Sequence, residues 1–136
     1  MEAYLEIVRK ILRDGKYKDN RTGVGAYTVA GATFEHDMSE GFPLLTTKKM
    51  ATKSVRSELE FFIQGLTDKR WFQERGNTIW DEWCNPEKVP YGHDEETKRK
   101  MKEERDLGPV YGWQWRHFGA EYHGPDADYT GQGIDQ

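Results

Sequence analysis

The stretch Thr52-Lys53-Ser54-Val55-Arg56-Ser57-Glu58-Leu59-Glu60-Phe61-Phe62-Ile63-Gln64-Gly65 decides how this chain folds. It contains no proline, and its apolar residues recur at helical spacing. Thr52 is a residue type that caps a helix start, and Gly65 is one that ends a helix. On a wheel of about 100° per residue with Val55 as origin, Leu59, Phe62 and Ile63 fall at roughly 40°, 340° and 80°. Phe61 falls at roughly 240° and Glu58 at roughly 300°, which puts a carboxylate between two phenylalanines on the apolar side. Glu60, at roughly 140°, points to water. Burial disfavours the charged form of a carboxylate and raises its pKa, which suits a group that passes protons near neutral pH. A Glu at the stripe edge that reaches solvent, or that pairs with a buried Arg, fits the same wheel.

Working outward, Tyr4, Val8, Ile11 and Leu12 predict an amphipathic helix over residues 2–13, with Gly15 placed to end it. Lys16–Gly25 reads as a polar loop with Asp-Asn and two glycines. Ala26–Phe34 alternates in part, and Ala30-Gly31 is placed to turn a hairpin. Gly41-Phe42-Pro43 reads as a loop leading to a short strand at Leu44–Thr47, and Asp68–Arg75 as a short helix ending at Gly76. Residues 85–106 differ in character. Glu95 with Arg99 and Glu96 with Lys100 make i, i+4 pairs on a helix whose nearly sole apolar residue is Met101. This stretch reads as a solvated insertion rather than a binding surface. Gly119–Gln136 holds no long regular element.

The 136 residues are enough for one domain or part of one. Hydrophobic residues are sparse at 35 %, but five Trp, seven Tyr and six Phe argue against disorder. The net charge of −4 argues against a nonspecific DNA binder. The single cysteine, Cys84, excludes an internal disulfide and a cysteine-rich zinc site, and fits a reducing compartment. There is no apolar run of membrane-spanning length and no signal peptide, so a cytoplasmic protein without a membrane partner is expected.

Two further groups of residues suggest chemistry. Arg21 stands in the amide-rich loop Asp19-Asn20-Arg21-Thr22-Gly23-Val24-Gly25, where a guanidinium and backbone N–H groups can meet an anion. By itself an Arg in a turn is an ordinary surface residue. Ile79, Trp80 and Trp83 lie within five positions, followed by Trp113 and Trp115. Such flat side chains suit a flat bicyclic ligand, or ordinary core packing.

These blocks stand in a fixed order with Gly41-Phe42-Pro43-Leu44-Leu45-Thr46-Thr47-Lys48-Lys49, Trp80-Asp81-Glu82-Trp83 and Gly108-Pro109-Val110-Tyr111-Gly112-Trp113-Gln114-Trp115-Arg116. Together they resemble the N-terminal half of the thymidylate synthase family. The resemblance covers nearly the whole chain apart from the 85–106 insertion and part of the tail. It implies an α/β (α+β) fold, a sandwich built on a large mixed sheet with flanking helices, of which residues 1–136 form the N-terminal part of a single domain. It implies a homodimer, dUMP as substrate, 5,10-methylenetetrahydrofolate as carbon and hydride donor, and no metal. Phe61-Phe62-Ile63-Gln64-Gly65 fixes the register that gives Glu58 the family's proton-relay role. By the same carry-over Arg21 holds the nucleotide phosphate. Ile79, Trp80 and Trp83 wall the folate pocket, and Lys48 faces the folate's glutamyl tail. Tyr111 lies beside the family's catalytic cysteine.

The match has departures. Ala51 stands where many members carry a folate-contacting His, and Glu60 where the family has an apolar residue. Glu58-Leu59-Glu60 and Tyr111-Gly112-Trp113 also occur in related deoxycytidylate hydroxymethylases, whereas Asp81-Glu82-Trp83 and Gly108–Gly112 favour the synthase. Cys84 lacks the Pro-Cys-His setting of the nucleophile and reads as a structural thiol. The sequence ends at Gly133-Ile134-Asp135-Gln136, before the family's nucleophilic cysteine, paired arginines and uracil-selecting Asn. The expectation is that residues 1–136 alone do not complete the reaction. A dUMP or dCMP hydroxymethylase, and a non-catalytic piece that only folds or associates, are the competing readings.

Overall fold

A computed structural model describes residues 2–21 and 23–136. Two compact units follow one another along the chain, Met1–Met50 and Ala51–Gln136.

In the first unit, α1 spans Glu2–Asp14 and closes where Gly15 donates its N–H to the Ile11 carbonyl. A Cβ on Gly15 would lie 2.2 Å from that carbonyl oxygen, so only glycine fits. The expected loop at Lys16–Gly25 is in part a strand. β1 (Lys16–Lys18) pairs antiparallel with β2 (Ala26–Thr28), with Tyr17 opposite Tyr27. Their rings meet edge to face at 5.7 Å. The turn therefore lies before Ala26, not at Ala30-Gly31. Residues 44–47 form no strand; among the described residues, β1–β2 is the whole sheet. Asp37 caps a 3₁₀ turn at Met38–Glu40 by accepting the Ser39 N–H.

In the second unit, α2 spans Thr52–Ile63. Its cap is Ala51, whose carbonyl accepts the N–H groups of Ser54 and Val55, so Thr52 is already helical. Gly65, at φ +68°, ends it: Gly65 N–H bonds to the Phe62 carbonyl and Leu66 N–H to that of Phe61. Glu60 pairs with Arg56 at 2.8 Å on the outer face, which accounts for a charge at that position. α3 is a single turn, Arg70–Gln73, shorter than the predicted helix. α4 covers Glu95–Glu103, capped by Asp94, and α5 covers Tyr111–His117. Phe61, Phe62, Phe72 and Leu107 form the core, with Leu66, Trp71, Trp80 and Val110 packed against it. The irregular tail is held by aromatic contacts. Tyr122 and Tyr129 stack at 6.0 Å, and both present edges to Trp113 at 5.6 Å.

Candidate active site

The buried face of α2 differs from the stripe read off the wheel. Val55, Leu59 and Ile63 are 43 %, 51 % and 53 % exposed, while Phe61 and Phe62 are buried. The packed face is centred on Glu58 rather than Val55, because the rings of α3, the Trp80 segment and α5 gather on Phe61 and Phe62. Half-buried Glu58 accepts a hydrogen bond from Trp80 Nε1 at 3.0 Å. Phe62 meets Trp80 at 6.1 Å and Tyr111 at 5.3 Å, and Trp80 meets Tyr111 at 6.3 Å. Gly112 allows this approach: a Cβ there would lie 2.7 Å from Phe62 Cα and 2.8 Å from its carbonyl oxygen. Glu58, Trp80 and Tyr111 are thus brought together by the crossing of α2 and α5.

Ile79 and Trp83 are placed by buried polar side chains that the sequence reading did not single out. Asn77 donates to Ser57 Oγ at 2.8 Å and accepts the Ile79 N–H at 3.2 Å, tying the segment to α2. Lys69 is 1 % exposed. Its ammonium donates to the carbonyls of Asp81 at 3.2 Å, Trp83 at 2.9 Å and Met101 at 2.5 Å. Three donors meet three acceptors, so the buried charge is fully hydrogen-bonded. Burial still pulls the Lys69 pKa below its ordinary value. The link through Met101 also corrects the reading of residues 85–106 as merely solvated: α4 is docked on the segment that carries Trp83.

That docking leaves a cleft of about 870 Å³ between the Thr78–Trp83 segment and α4, with Ile79 and Trp83 on one wall. A smaller hollow of about 400 Å³ is lined by Trp80, Trp83 and Tyr111, among others. Trp83 borders both, and its ring meets Tyr91 edge to face at 5.5 Å. Arg21 and Lys48 belong to the first unit, and both are exposed. Thr22 of the Arg21 loop lies outside the described residues. Asn20 closes that loop by donating to the Val24 carbonyl at 2.7 Å.

The thymidylate synthase family profile matches residues 2–136. The chain belongs to the thymidylate synthase family. It is 44 % identical to thymidylate synthase of Homo sapiens over 133 residues, which are 98 % of this chain and 41 % of that protein. It is 43 % identical to thymidylate synthase of Candida albicans over 140 residues, 99 % of this chain and 42 % of that one. Against bifunctional dihydrofolate reductase-thymidylate synthase 2 of Arabidopsis thaliana it is 46 % identical, over 98 % of this chain and 23 % of the relative. The chain thus spans well under half the length of these relatives.

Within this chain the Gly108–Arg116 block opens on a second hub that sequence reasoning missed. Asp106 is fully buried. It accepts from Tyr122 Oη at 2.5 Å, Gly108 N–H at 2.7 Å, Lys88 Nζ at 2.9 Å and Asn85 Nδ2 at 3.4 Å. Burial pushes its pKa up, but these bonds outweigh burial and hold it below the ordinary carboxylate value. Burial, then donation to Asp106, raise the Tyr122 pKa. Cys84 is buried, with its thiol pKa raised by that burial and Lys69 opposing, which fits a structural thiol.

Proposed function

We propose that these residues form part of an enzyme that methylates dUMP reductively to dTMP, with 5,10-methylenetetrahydrofolate giving up both its one-carbon unit and a hydride. In this reading a cysteine from the family's second half adds to C6 of the uracil ring. The methylene carbon is transferred to C5 and reduced to methyl, and dihydrofolate leaves. Arg21 holds the nucleotide phosphate, and Lys48 meets the glutamyl tail. Ile79, Trp80 and Trp83 face the folate. Tyr111 stands beside the nucleophile, and Glu58 passes protons to and from the pyrimidine. Both units belong to one domain of a sandwich built on a large mixed sheet, in a cytoplasmic homodimer that uses no metal.

The observation that carries this reading is the Glu58–Trp80 hydrogen bond. It joins the proposed proton relay to the proposed folate wall through one indole N–H. A carboxylate held by a single donor keeps lone pairs for water, which a relay needs.

The test is Glu58→Gln in the whole enzyme. The amide keeps the size of the side chain and still accepts from Trp80, but it cannot carry a proton. We expect kcat to fall about 10²- to 10⁴-fold, the scale of general acid–base catalysis, while dUMP still binds. Wild-type turnover would remove Glu58 from the mechanism. A hydroxymethylated nucleotide formed without dihydrofolate would replace the synthase reading with the hydroxymethylase one.

A further inference from the structure

Two tryptophans are proposed to face the folate, and the structure holds them by different means. The Trp80 ring is pinned directly: it donates to Glu58 and packs against Phe62 and Phe72. Trp83 has no such seat. It is 50 % exposed, and its ring meets that of Tyr91 at its edge. Residues 78–83 form two overlapping turns rather than a helix or strand. Asp81 donates its N–H to the Thr78 carbonyl at 3.0 Å, and Trp83 to the Trp80 carbonyl at 3.1 Å. A turn of this kind does not fix a half-exposed ring by itself, so the placement of Trp83 depends on what grips its backbone. That grip is Lys69. Its buried ammonium bonds the carbonyls of Asp81 and Trp83 and, from the last turn of α4, the carbonyl of Met101. Carbonyls in a last helical turn lack an N–H partner within the helix, and Lys69 supplies one donor from outside it. An ammonium has three donors, and all three are used. The wall and α4 therefore cannot separate without stranding a carbonyl or a buried charge. Gln73 braces the same segment by donating to Asp81 Oδ1 at 2.9 Å.

We propose that Lys69 is a positioning residue for the folate, holding Trp83 and the insertion helix α4 in the arrangement that receives the flat bicyclic ring. This rests on the folate reading of Trp83. It gives the insertion a function: α4 supplies the third carbonyl that completes the clamp.

The test is a double-mutant cycle in the whole enzyme, with Lys69→Met, Trp83→Ala and the pair. The readouts are the KM for 5,10-methylenetetrahydrofolate and the KM for dUMP. Lys69→Met should raise the folate KM roughly three- to tenfold, the scale of one aromatic contact, and leave the dUMP KM unchanged. A purely structural defect would instead lower the number of active molecules, and so the apparent kcat, without singling out one substrate. Added to Trp83→Ala, Lys69→Met should raise the folate KM no further, because both changes remove the same contact. Lys69→Gln keeps amide donors and should fall between wild type and Lys69→Met; it carries the test where the methionine variant does not fold. An unchanged folate KM, a rise shared with dUMP, or full additivity in the cycle overturns the proposal. Failure of both Lys69 variants to fold overturns it too, since the ammonium would then hold the whole unit rather than the wall. In each of these cases a raised folate KM in Trp83→Ala alone leaves the folate reading standing. A wild-type folate KM in Trp83→Ala overturns both.

Discussion

The two units solve different problems. In Met1–Met50 no described residue is buried, and α1 and the β1–β2 hairpin hold the residues together through half-exposed contacts. In Ala51–Gln136 an aromatic core is laced by two deeply buried charges, Lys69 and Asp106. The residues follow the same division. Glu58, Trp80 and Tyr111 sit at a packed helix crossing, whereas Arg21 and Lys48 stand on exposed loops. On the proposed function, the groups that would hold a proton or a ring in one geometry lie where packing fixes them, and those that would meet a diffusible anion lie where they can adjust to it.

The largest way to break this contrast is to remove the Asp106 carboxylate. Asp106→Ala leaves the Gly108 N–H without its acceptor, and takes the shorter of two partners from both Tyr122 Oη, which keeps Thr67 Oγ1 at 2.9 Å, and Lys88, which keeps Glu104 at 3.8 Å. We expect a loss of about 4 kcal/mol in urea denaturation, or an unfolded chain. The pH dependence has a defined sign. The folded pKa of Asp106 lies below its unfolded value, so the unfolded chain takes up the proton first as pH falls. Its contribution is therefore complete above about pH 4 and is lost as pH drops through the folded value. The acid-side loss of stability should be shallower in Asp106→Asn than in wild type.

Lys69→Met comes next. The thioether fills the volume but leaves the Asp81, Trp83 and Met101 carbonyls without a donor. A loss of about 3 kcal/mol is expected. The emission of Trp83 should shift toward that of a wetter indole, because the clamp between its segment and α4 is gone. A variant as stable as wild type would show that burial of the aromatic rings alone holds the cleft.

Neither hub was legible in the sequence. Lys69 stands between an acid and an arginine, and Asp106 follows a run of charges, so both read as surface. Their burial depends on partners 12 to 32 residues away for Lys69 and on side-chain partners 16 to 21 residues away for Asp106, which no local period reports. What was legible is periodic or punctuated: α1 with Gly15, α2 with Gly65, and α4 with its Glu96–Lys100 pair at 2.7 Å. Glu58 was placed on the buried face, although the apolar stripe that pointed there is itself half exposed. Two phenylalanines set that face more strongly than three aliphatic side chains, since each ring buries more area and finds other rings. The strand Lys16–Lys18 was missed because Lys-Tyr-Lys is polar; its pairing comes from the Tyr17–Tyr27 contact.

That contact gives the smallest effect and the sharpest check on the comparison. Tyr27→Ala removes one edge-to-face pair on an exposed hairpin, where both rings already touch solvent. A cross-strand aromatic pair of this kind contributes about 1 kcal/mol or less. Urea denaturation of the variant should move by no more than that. Amide exchange should quicken in residues 16–18 and 26–28 while the amides of α2 and α5 keep their protection, because local opening of a weakly buried hairpin is not the opening of a packed core. A loss as large as that of Asp106→Ala would mean that the hairpin supports the buried unit, and the division of labour drawn from burial would fail.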